Sequence, residues 1–216
     1  MSNPFPYQYI CIEGNIGTGK TSLCEMLARD YNCQLILEEF ADNPFLKYFY
    51  EDPDRYAFTV ELFFMTERHK QLQHSLHKRS LFSEFMVADY FFWKTVIFAS
   101  KNLSDEEYRL FSRLFQILNS AFPNPDLLVY LHRTPEKLLD QIRTRGRHYE
   151  QGISLEYLQK IQDSYFEFFR SQLGYPILIL EVENLDFVNL PEHYEELVRL
   201  LSRPYLPGVH RISLRL

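Results

Sequence analysis

Short apolar runs alternate with longer amphipathic stretches along the 216 residues of this chain. Five of the apolar runs lie next to glycine, proline or acidic residues, and such runs are typical of strands that are buried on both faces. The predicted strands are residues 9–13, 34–37, 85–88, 127–131 and 176–180.

The stretches between these strands have helical spacing, as with Leu23, Met26 and Leu27 in the first of them. The predicted helices are residues 20–31, 42–50, 54–79, 91–101, 105–121, 136–145, 155–173 and 191–201. This alternation predicts an α/β fold, in which a five-stranded parallel sheet is flanked by helices. We expect one domain over residues 1–216, with ligands beyond the carboxyl ends of the strands.

A glycine-rich segment follows the first predicted strand and opens the first predicted helix. It matches the pattern G-x-x-x-x-G-K-[ST], and its residues are Gly14, Asn15, Ile16, Gly17, Thr18, Gly19, Lys20 and Thr21. Backbone N–H groups and the helix N-terminus bind phosphate oxygens in such a loop. We expect Lys20 to bind the β- and γ-phosphates of ATP and Thr21 to hold Mg²⁺. The motif also occurs in ATPases and GTPases, so it does not identify the reaction.

Carboxylates follow the second and third predicted strands. Glu38 is placed to act as a base toward a phosphoryl acceptor, and a solvated acidic turn is the simpler alternative. Asp89 is placed to bind Mg²⁺ or its water ligands. Alternatively, Asp89 caps the helix that is predicted to begin at Phe91.

Three arginines, Arg143, Arg145 and Arg147, surround a glycine between two predicted helices. Arginine binds phosphate oxygens in pairs and keeps its charge, so a lid over phosphates is expected at about residues 143–153. The alternative is a solvated basic turn at a helix C-terminus.

Composition and charge narrow the choice of partners. The formal net charge of −6 argues against nucleic acid. No apolar run approaches the length of a membrane span, and residues 1–7 lack the apolar core of a signal peptide. The three cysteines lack metal-binding spacing, so we expect reduced thiols and a cytoplasmic protein.

Together these features resemble the deoxyribonucleoside kinase family, over residues 10 to about 201. The matching segments are I-E-G-N-I-G at 12–17, Tyr50 with Asp52-Pro53, F-A-S at 98–100, R-G-R at 145–147 with E-Q-G-I at 150–153 and L-E-Y-L at 155–158, and Asp186-Phe187. The arginine segment is the most specific, since thymidylate and adenylate kinases lack it. The resemblance implies transfer of the γ-phosphate of ATP to the 5′-hydroxyl of a deoxyribonucleoside, and a homodimer.

The resemblance also implies roles on the acceptor side. Glu38 resembles the general base that takes the proton of the 5′-hydroxyl. Tyr50 and Glu150 resemble the pair that binds the sugar 3′-hydroxyl, and Phe98 resembles the aromatic residue that stacks on the base.

On the donor side, Arg145 and Arg147 resemble the lid arginines. Asp186 and Phe187 resemble the loop around the adenine of ATP, although one residue is inserted before them. A further lid arginine of the family is replaced by a glutamine in this chain, and Arg143 is a neighbouring substitute for it.

Two departures from the family pattern bear on mechanism and base choice. Asp89 is followed by Tyr90, where the family usually has an arginine that holds phosphate and the carboxylate of the general base. That task therefore falls to another residue or is lost.

Glu61 replaces a glutamine that hydrogen-bonds to the edge of the nucleobase, as in a bacterial branch that includes deoxyguanosine kinases. A carboxylate accepts from both N1–H and N2–H of guanine, so we expect deoxyguanosine to be preferred over deoxyadenosine. Alternatively, Glu61 pairs with Arg68 or Arg55 and does not contact the base.

Other functions are compatible with parts of this pattern. A deoxyadenosine kinase or a kinase of broad specificity would use the same residues. A nucleoside monophosphate kinase would need more arginines to hold the acceptor phosphate. A nucleotide-gated switch would lack both the acceptor-side base and the arginine lid.

Overall fold

The computed structural model describes residues 4–38, 43–77, 82–147, 150–171 and 174–214. The strands are β1 (Tyr9–Gly14), β2 (Cys33–Ile36), β3 (Phe85–Ala88), β4 (Leu127–His132), β5 (Pro176–Glu181) and β6 (Gly208–Ser213). The helices are α1 (Lys20–Asp30), α2 (Leu46–Glu51), α3 (Pro53–His77), α4 (Lys94–Asn102), α5 (Asp105–Asn119), α6 (Pro135–Arg145), α7 (Leu155–Ser171) and α8 (Pro191–Leu201). None of the described helices combines the length and the apolar character needed to cross a bilayer.

The strands form one parallel sheet in the order β2-β3-β1-β4-β5-β6. The predicted fold class is therefore confirmed, but the sheet has six strands and not five. The sixth strand, β6, lies at the edge of the sheet and pairs with β5, and its residues alternate between half-buried and exposed. An edge strand of this kind does not need a continuous apolar run, which is why the hydrophobic pattern did not reveal it.

Two helices begin later than predicted. Helix α2 begins at Leu46, whereas its predicted start was residue 42. Residue 42 lies outside the described residues, as do the predicted helix ends at residues 79 and 173. Helix α4 begins at Lys94 and not at Phe91. The amides of Lys94 and Thr95 donate to carbonyls three residues earlier, so residues 91–93 form a turn. This turn places Lys94 in the first turn of α4.

The sheet is buried on both faces, as its apolar strands require. On one face Ile10 and Ile12 of β1 pack in a cluster with residues of α1 and α8. On the other face Cys11 packs with residues of α4 and α7. Met86 and Ala88 of β3 pack on this same face, with residues of α3 and α5.

The strand register brings three candidate groups to one edge of the sheet. Ala88 of β3 is paired with both Cys11 of β1 and Ile36 of β2, so these strands end side by side. The glycine-rich loop, Glu38 and Asp89 therefore leave the sheet at the same edge, where ligands of open parallel sheets bind.

Candidate active site

The glycine-rich loop connects β1 to α1 in a backbone conformation that glycine permits. Gly17 and Gly19 have φ values of 87° and 92°, which residues other than glycine rarely adopt. A Cβ at Gly19 would also lie 2.9 Å from the ring of Phe187. The buried Asn15 donates from Nδ2 to the carbonyl of Leu158 at 2.8 Å, which fixes the loop to α7.

Lys20 lies at the start of α1, with its ammonium group folded over the loop. Its Nζ donates to the carbonyls of Gly14 at 2.9 Å and Asn15 at 3.0 Å. Burial, followed by the nearby ammonium of Lys94, lowers the pKa of Lys20 to about 8. An anionic group at this position would therefore relieve an unfavourable concentration of positive charge.

Asp89 links α1 to the segment after β2. Its Oδ2 accepts from Thr21 Oγ1 at 2.5 Å, and its Oδ1 accepts from the backbone N–H of Glu38 at 2.6 Å. The alternative role as a helix cap is wrong, because the N–H of Phe91 donates instead to Glu13 at 3.0 Å. The Thr21 hydroxyl and the Asp89 carboxylate are hard oxygen ligands that suit Mg²⁺. The described residues contain no group of three His, Cys, Asp or Glu side chains that could hold a metal, so phosphates and waters would complete such a site.

Glu38 is buried between two cations and is not part of a solvated turn. Its Oε1 accepts from Arg68 Nε at 2.7 Å and from Nη2 at 2.6 Å, and its Oε2 accepts from Lys94 Nζ at 2.5 Å. Burial alone would raise the pKa of Glu38, but Arg68 and Lys94 outweigh it and lower the pKa to about 2. The carboxylate is therefore ionised and tightly held.

Tyr90, which stands where the family usually has an arginine, points into the core. It is fully buried, and its hydroxyl donates to Gln71 Oε1 at 2.9 Å. Gln71 in turn donates from Nε2 to the carbonyl of Leu37. Tyr90 thus fixes the chain just before Glu38, while Arg68 and Lys94 hold the carboxylate itself.

A cavity of about 280 Å³ extends from the glycine-rich loop toward α2, α3 and α7. The residues that line it include the predicted phosphate-binding and nucleoside-binding groups Lys20, Thr21, Tyr50, Glu61, Phe98, Arg145, Arg147 and Glu150. Arg68 and Lys94 line it as well. Glu38 lies behind these two cations and lines a neighbouring cavity. The structure therefore brings most of the predicted site residues together, but it places the predicted base behind its partners.

Glu61 lies in the wall of the cavity and is 3% exposed. Asn102 donates from Nδ2 to Glu61 Oε1 at 2.6 Å and to the hydroxyl of Tyr157 at 3.3 Å. Glu61 Oε2 is buried and has no hydrogen-bond partner among the described residues. Burial raises the pKa of Glu61 to about 7, against the lowering effect of the Asn102 hydrogen bond. The alternative pairing with an arginine is wrong, since Arg68 bonds to Glu38 and no ion pair involving Glu61 occurs in the described ranges.

The arginine segment closes one side of the cavity. Helix α6 ends at Arg145 and is followed by Gly146, whose φ of 69° turns the chain. Arg145 donates from Nη2 to both oxygens of Glu150, at 2.7 and 2.6 Å, and Arg147 Nη1 lies 3.5 Å from Glu150 Oε1. Arg143 is exposed on the last turn of α6, away from the side chains that line the cavity. Residues 148 and 149 of the predicted lid lie outside the described residues.

A third cavity, of about 520 Å³, is lined in part by Gly17, Thr18 and Gly19 of the glycine-rich loop. Asp186 and Phe187 line it, and Asp186 accepts from the side chain of Asn189 at 2.9 and 3.0 Å. Arg133 at the end of β4 braces this loop by donating to the carbonyl of Leu185 at 2.8 Å. Arg133 was not among the predicted residues.

Sequence reasoning assigned no site role to several residues that shape the main cavity, although Arg68 was named as a possible partner of Glu61 and Tyr157 lies in the L-E-Y-L segment. Arg68 lies seven residues after Glu61, hence on the same face of α3, and this spacing was an available signal. Lys94 is the one charge in the apolar run at 91–99, which was a second signal. Asn102 and Tyr157 come from distant parts of the chain, and no local pattern brings them together.

Comparisons with known proteins agree with this geometry. A family model described as deoxynucleoside kinase matches residues 10–203. The chain is 34% identical over 157 residues to a deoxyguanosine kinase from Bacillus subtilis, covering 73% of this chain and 76% of that protein. It is 33% identical to a deoxyadenosine kinase from Dictyostelium discoideum, covering 88% of this chain and 78% of that protein. A solved structure of deoxyadenosine kinase from M. mycoides, with the products dCMP and a flexible dCDP bound, has a TM-score of 0.76 at 21% identity and covers 89% of this chain and 97% of that one. The last similarity shows the fold.

Proposed function

Because this chain belongs to the deoxynucleoside kinase family, we propose that it transfers the γ-phosphoryl group of ATP to the 5′-hydroxyl of a deoxyribonucleoside, with deoxyguanosine preferred over deoxyadenosine. The observation that carries this proposal is the shared cavity, in which Lys20 and Thr21 lie at one end and Glu61, Phe98 and Glu150 line the remainder. Groups suited to phosphate and groups suited to a nucleoside thus line one continuous space.

On the donor side, the loop amides and Lys20 bind the phosphates of ATP. Arg145 and Arg147 lie at the cavity and approach the same phosphates from the lid. Thr21 and Asp89 would hold Mg²⁺, which would neutralise phosphate charge. Arg143, the third arginine assigned to the phosphates, lies outside the cavity wall on the last turn of α6. The third cavity, with Asp186 and Phe187, takes the adenine of ATP.

On the acceptor side, Phe98 stacks on the base, and Tyr50 with Glu150 binds the 3′-hydroxyl of the sugar. Glu61 lines the cavity, with Oε1 bonded to Asn102 and Oε2 without a partner among the described residues, and a carboxylate suits the two adjacent N–H donors of guanine.

In the transfer step, the 5′-oxygen of the acceptor forms a bond to the γ-phosphorus while the bond to the bridging oxygen of ADP breaks. The hydroxyl proton passes to Glu38 and then to water, and the products are ADP and the deoxynucleoside 5′-monophosphate. Glu38 can accept this proton only where Arg68 and Lys94 leave one of its oxygens accessible.

A coupled assay of ADP release tests the proposal, with the four natural deoxynucleosides and their monophosphates as acceptors and Mg-ATP as donor. We expect release with nucleosides and none above background with monophosphates. Release only with monophosphates would identify a monophosphate kinase. A low release that is independent of the acceptor would identify a nucleotide-gated switch.

The resemblance to the family also leads us to propose a single kinase domain over residues 1–216 that forms a homodimer in the cytoplasm. Light scattering after size exclusion should give twice the chain mass of 26.0 kDa. The mass of one chain would contradict the dimer.

A further inference from the structure

Lys94 occupies an unusual position for a lysine. It lies in the first turn of α4, and it is only 4% exposed. Its ammonium bonds to Glu38 Oε2 at 2.5 Å and lies 5.7 Å from the ring centre of Phe98. Burial of a charge is costly unless the site provides partners, so this position demands an explanation.

No arginine follows Asp89 in this chain, and Lys94, five residues further on, is the cation of this segment that bonds to Glu38. Tyr90 points into the core and takes no part in the cavity. Lys94 lines the same cavity as Lys20 and Thr21 of the phosphate-binding loop. The positive charge of Lys94 also contributes to the lowered pKa of Lys20. Two ammonium groups thus line one cavity and repel each other, an arrangement that an anion bound in the cavity would relieve.

The two cations on Glu38 differ in their freedom to move. Arg68 holds Glu38 Oε1 through two nitrogens, donates from Nη1 to Thr95 Oγ1 at 3.1 Å and lies 4.9 Å from the ring centre of Phe64. Lys94 holds the other carboxylate oxygen through a single nitrogen on a flexible four-carbon chain. A lysine ammonium on such a chain is redirected more easily than a guanidinium that is held as a fork.

We propose that Lys94 is a further catalytic residue of the proposed kinase reaction, whose ammonium moves from Glu38 to the γ-phosphate when ATP binds. The move places a cation on the group that is transferred and uncovers Glu38 Oε2 for the acceptor hydroxyl. This proposal rests on the proposed function, and it couples binding of the donor to exposure of the base.

The test compares the affinity for ADP with that for β,γ-imido-ATP, which carries a γ-phosphate but is not transferred. In Lys94→Gln, the affinity for the imido analogue should fall about tenfold or more while that for ADP changes less than about twofold, since a charged hydrogen bond to the γ-phosphate is lost. The kcat should fall by about 10²–10³-fold, the usual effect of removing one such donor. Lys101→Gln, on the same helix and 34% exposed, is the matched control and should change neither quantity.

The same titration in a Glu38→Gln background separates a phosphate contact from an effect through Glu38. If Lys94 binds phosphate, adding Lys94→Gln to this background still lowers the affinity for the imido analogue more than the affinity for ADP. The proposal is wrong if this selective loss of affinity disappears in the Glu38→Gln background, or if the affinities for ADP and for the analogue fall equally. Lys94 would then act only through Glu38 or the loop. The titration needs no turnover, so it decides the Lys94 contact even if the acceptor panel finds no substrate.

A crystal structure of the unaltered protein with the imido analogue and deoxyguanosine gives a second measurement, which does not depend on folding of a variant. Lys94 Nζ is expected within about 3.2 Å of a γ-phosphate oxygen and no longer bonded to Glu38. A Lys94 that stays on Glu38 with the analogue bound would overturn the proposal.

Discussion

Replacement of Glu61 by glutamine tests base selection most directly. In Glu61→Gln one carboxylate oxygen becomes an N–H₂ group, so one of the two guanine donors faces a donor. A hydrogen bond to a charged group contributes about 1.5–3 kcal/mol, which corresponds to about a 10- to 150-fold loss in kcat/KM for deoxyguanosine. Deoxyadenosine offers one donor and one acceptor, so its kcat/KM should change by at most a few fold.

The protonation of Glu61 gives this prediction a second, independent signature. With a pKa near 7, Glu61 is mostly protonated at pH 6 and mostly ionised at pH 8. The protonated acid can donate to N1 of adenine, whereas the ionised form accepts from N1–H and N2–H of guanine. The ratio of kcat/KM for deoxyguanosine to that for deoxyadenosine should therefore rise by about tenfold or more from pH 6 to pH 8. In Glu61→Gln the ratio should not depend on pH.

Steady-state kinetics over the four natural deoxynucleosides at several pH values provides the assay. Glu67→Gln is the matched control, because it makes the same change on the same helix at a side chain that is 44% exposed and paired with Lys70. The reasoning is refuted if deoxyguanosine is already the poorer purine in the unaltered protein. It is equally refuted if Glu61→Gln leaves the ranking and its pH dependence unchanged.

Four further predictions follow from the site. Lys20→Ala should abolish phosphoryl transfer without loss of the fold, and transfer at the unaltered rate would remove its assigned role. Glu38→Gln should lower kcat by about 10²–10⁴-fold with a much smaller change in nucleoside affinity, whereas an unchanged kcat would exclude Glu38 as the base. Because Tyr50 and Glu150 are assigned to the 3′-hydroxyl, 2′,3′-dideoxynucleosides should lose about 1–3 kcal/mol of transition-state binding, and equal kcat/KM for deoxy and dideoxy substrates would contradict that contact. Tyr90→Phe should lower the unfolding free energy by about 1 kcal/mol through its lost hydrogen bond to Gln71 while kcat stays within about twofold, and a large loss of kcat would place Tyr90 in the site.

The sequence by itself determined the features that depend on neighbouring residues. The buried strands, most helices and the loop from Gly14 to Thr21 follow from local hydrophobic periodicity and from the conformational freedom of glycine. The positions of Glu38 and Asp89 at one edge followed as well, because parallel strands end together. These local signals were sufficient to predict the fold class and a phosphate-binding edge of the sheet.

Only the tertiary structure decided how the charges are paired. Glu38 meets Arg68 and Lys94, which lie 30 and 56 residues away in the chain, and Glu61 meets Asn102 at a separation of 41 residues. The pKa of each carboxyl follows from these partners and from burial, and neither is encoded in a local pattern. The sixth strand was also decided at this level, because an edge strand is stabilised by hydrogen bonds to its neighbour more than by its own hydrophobicity.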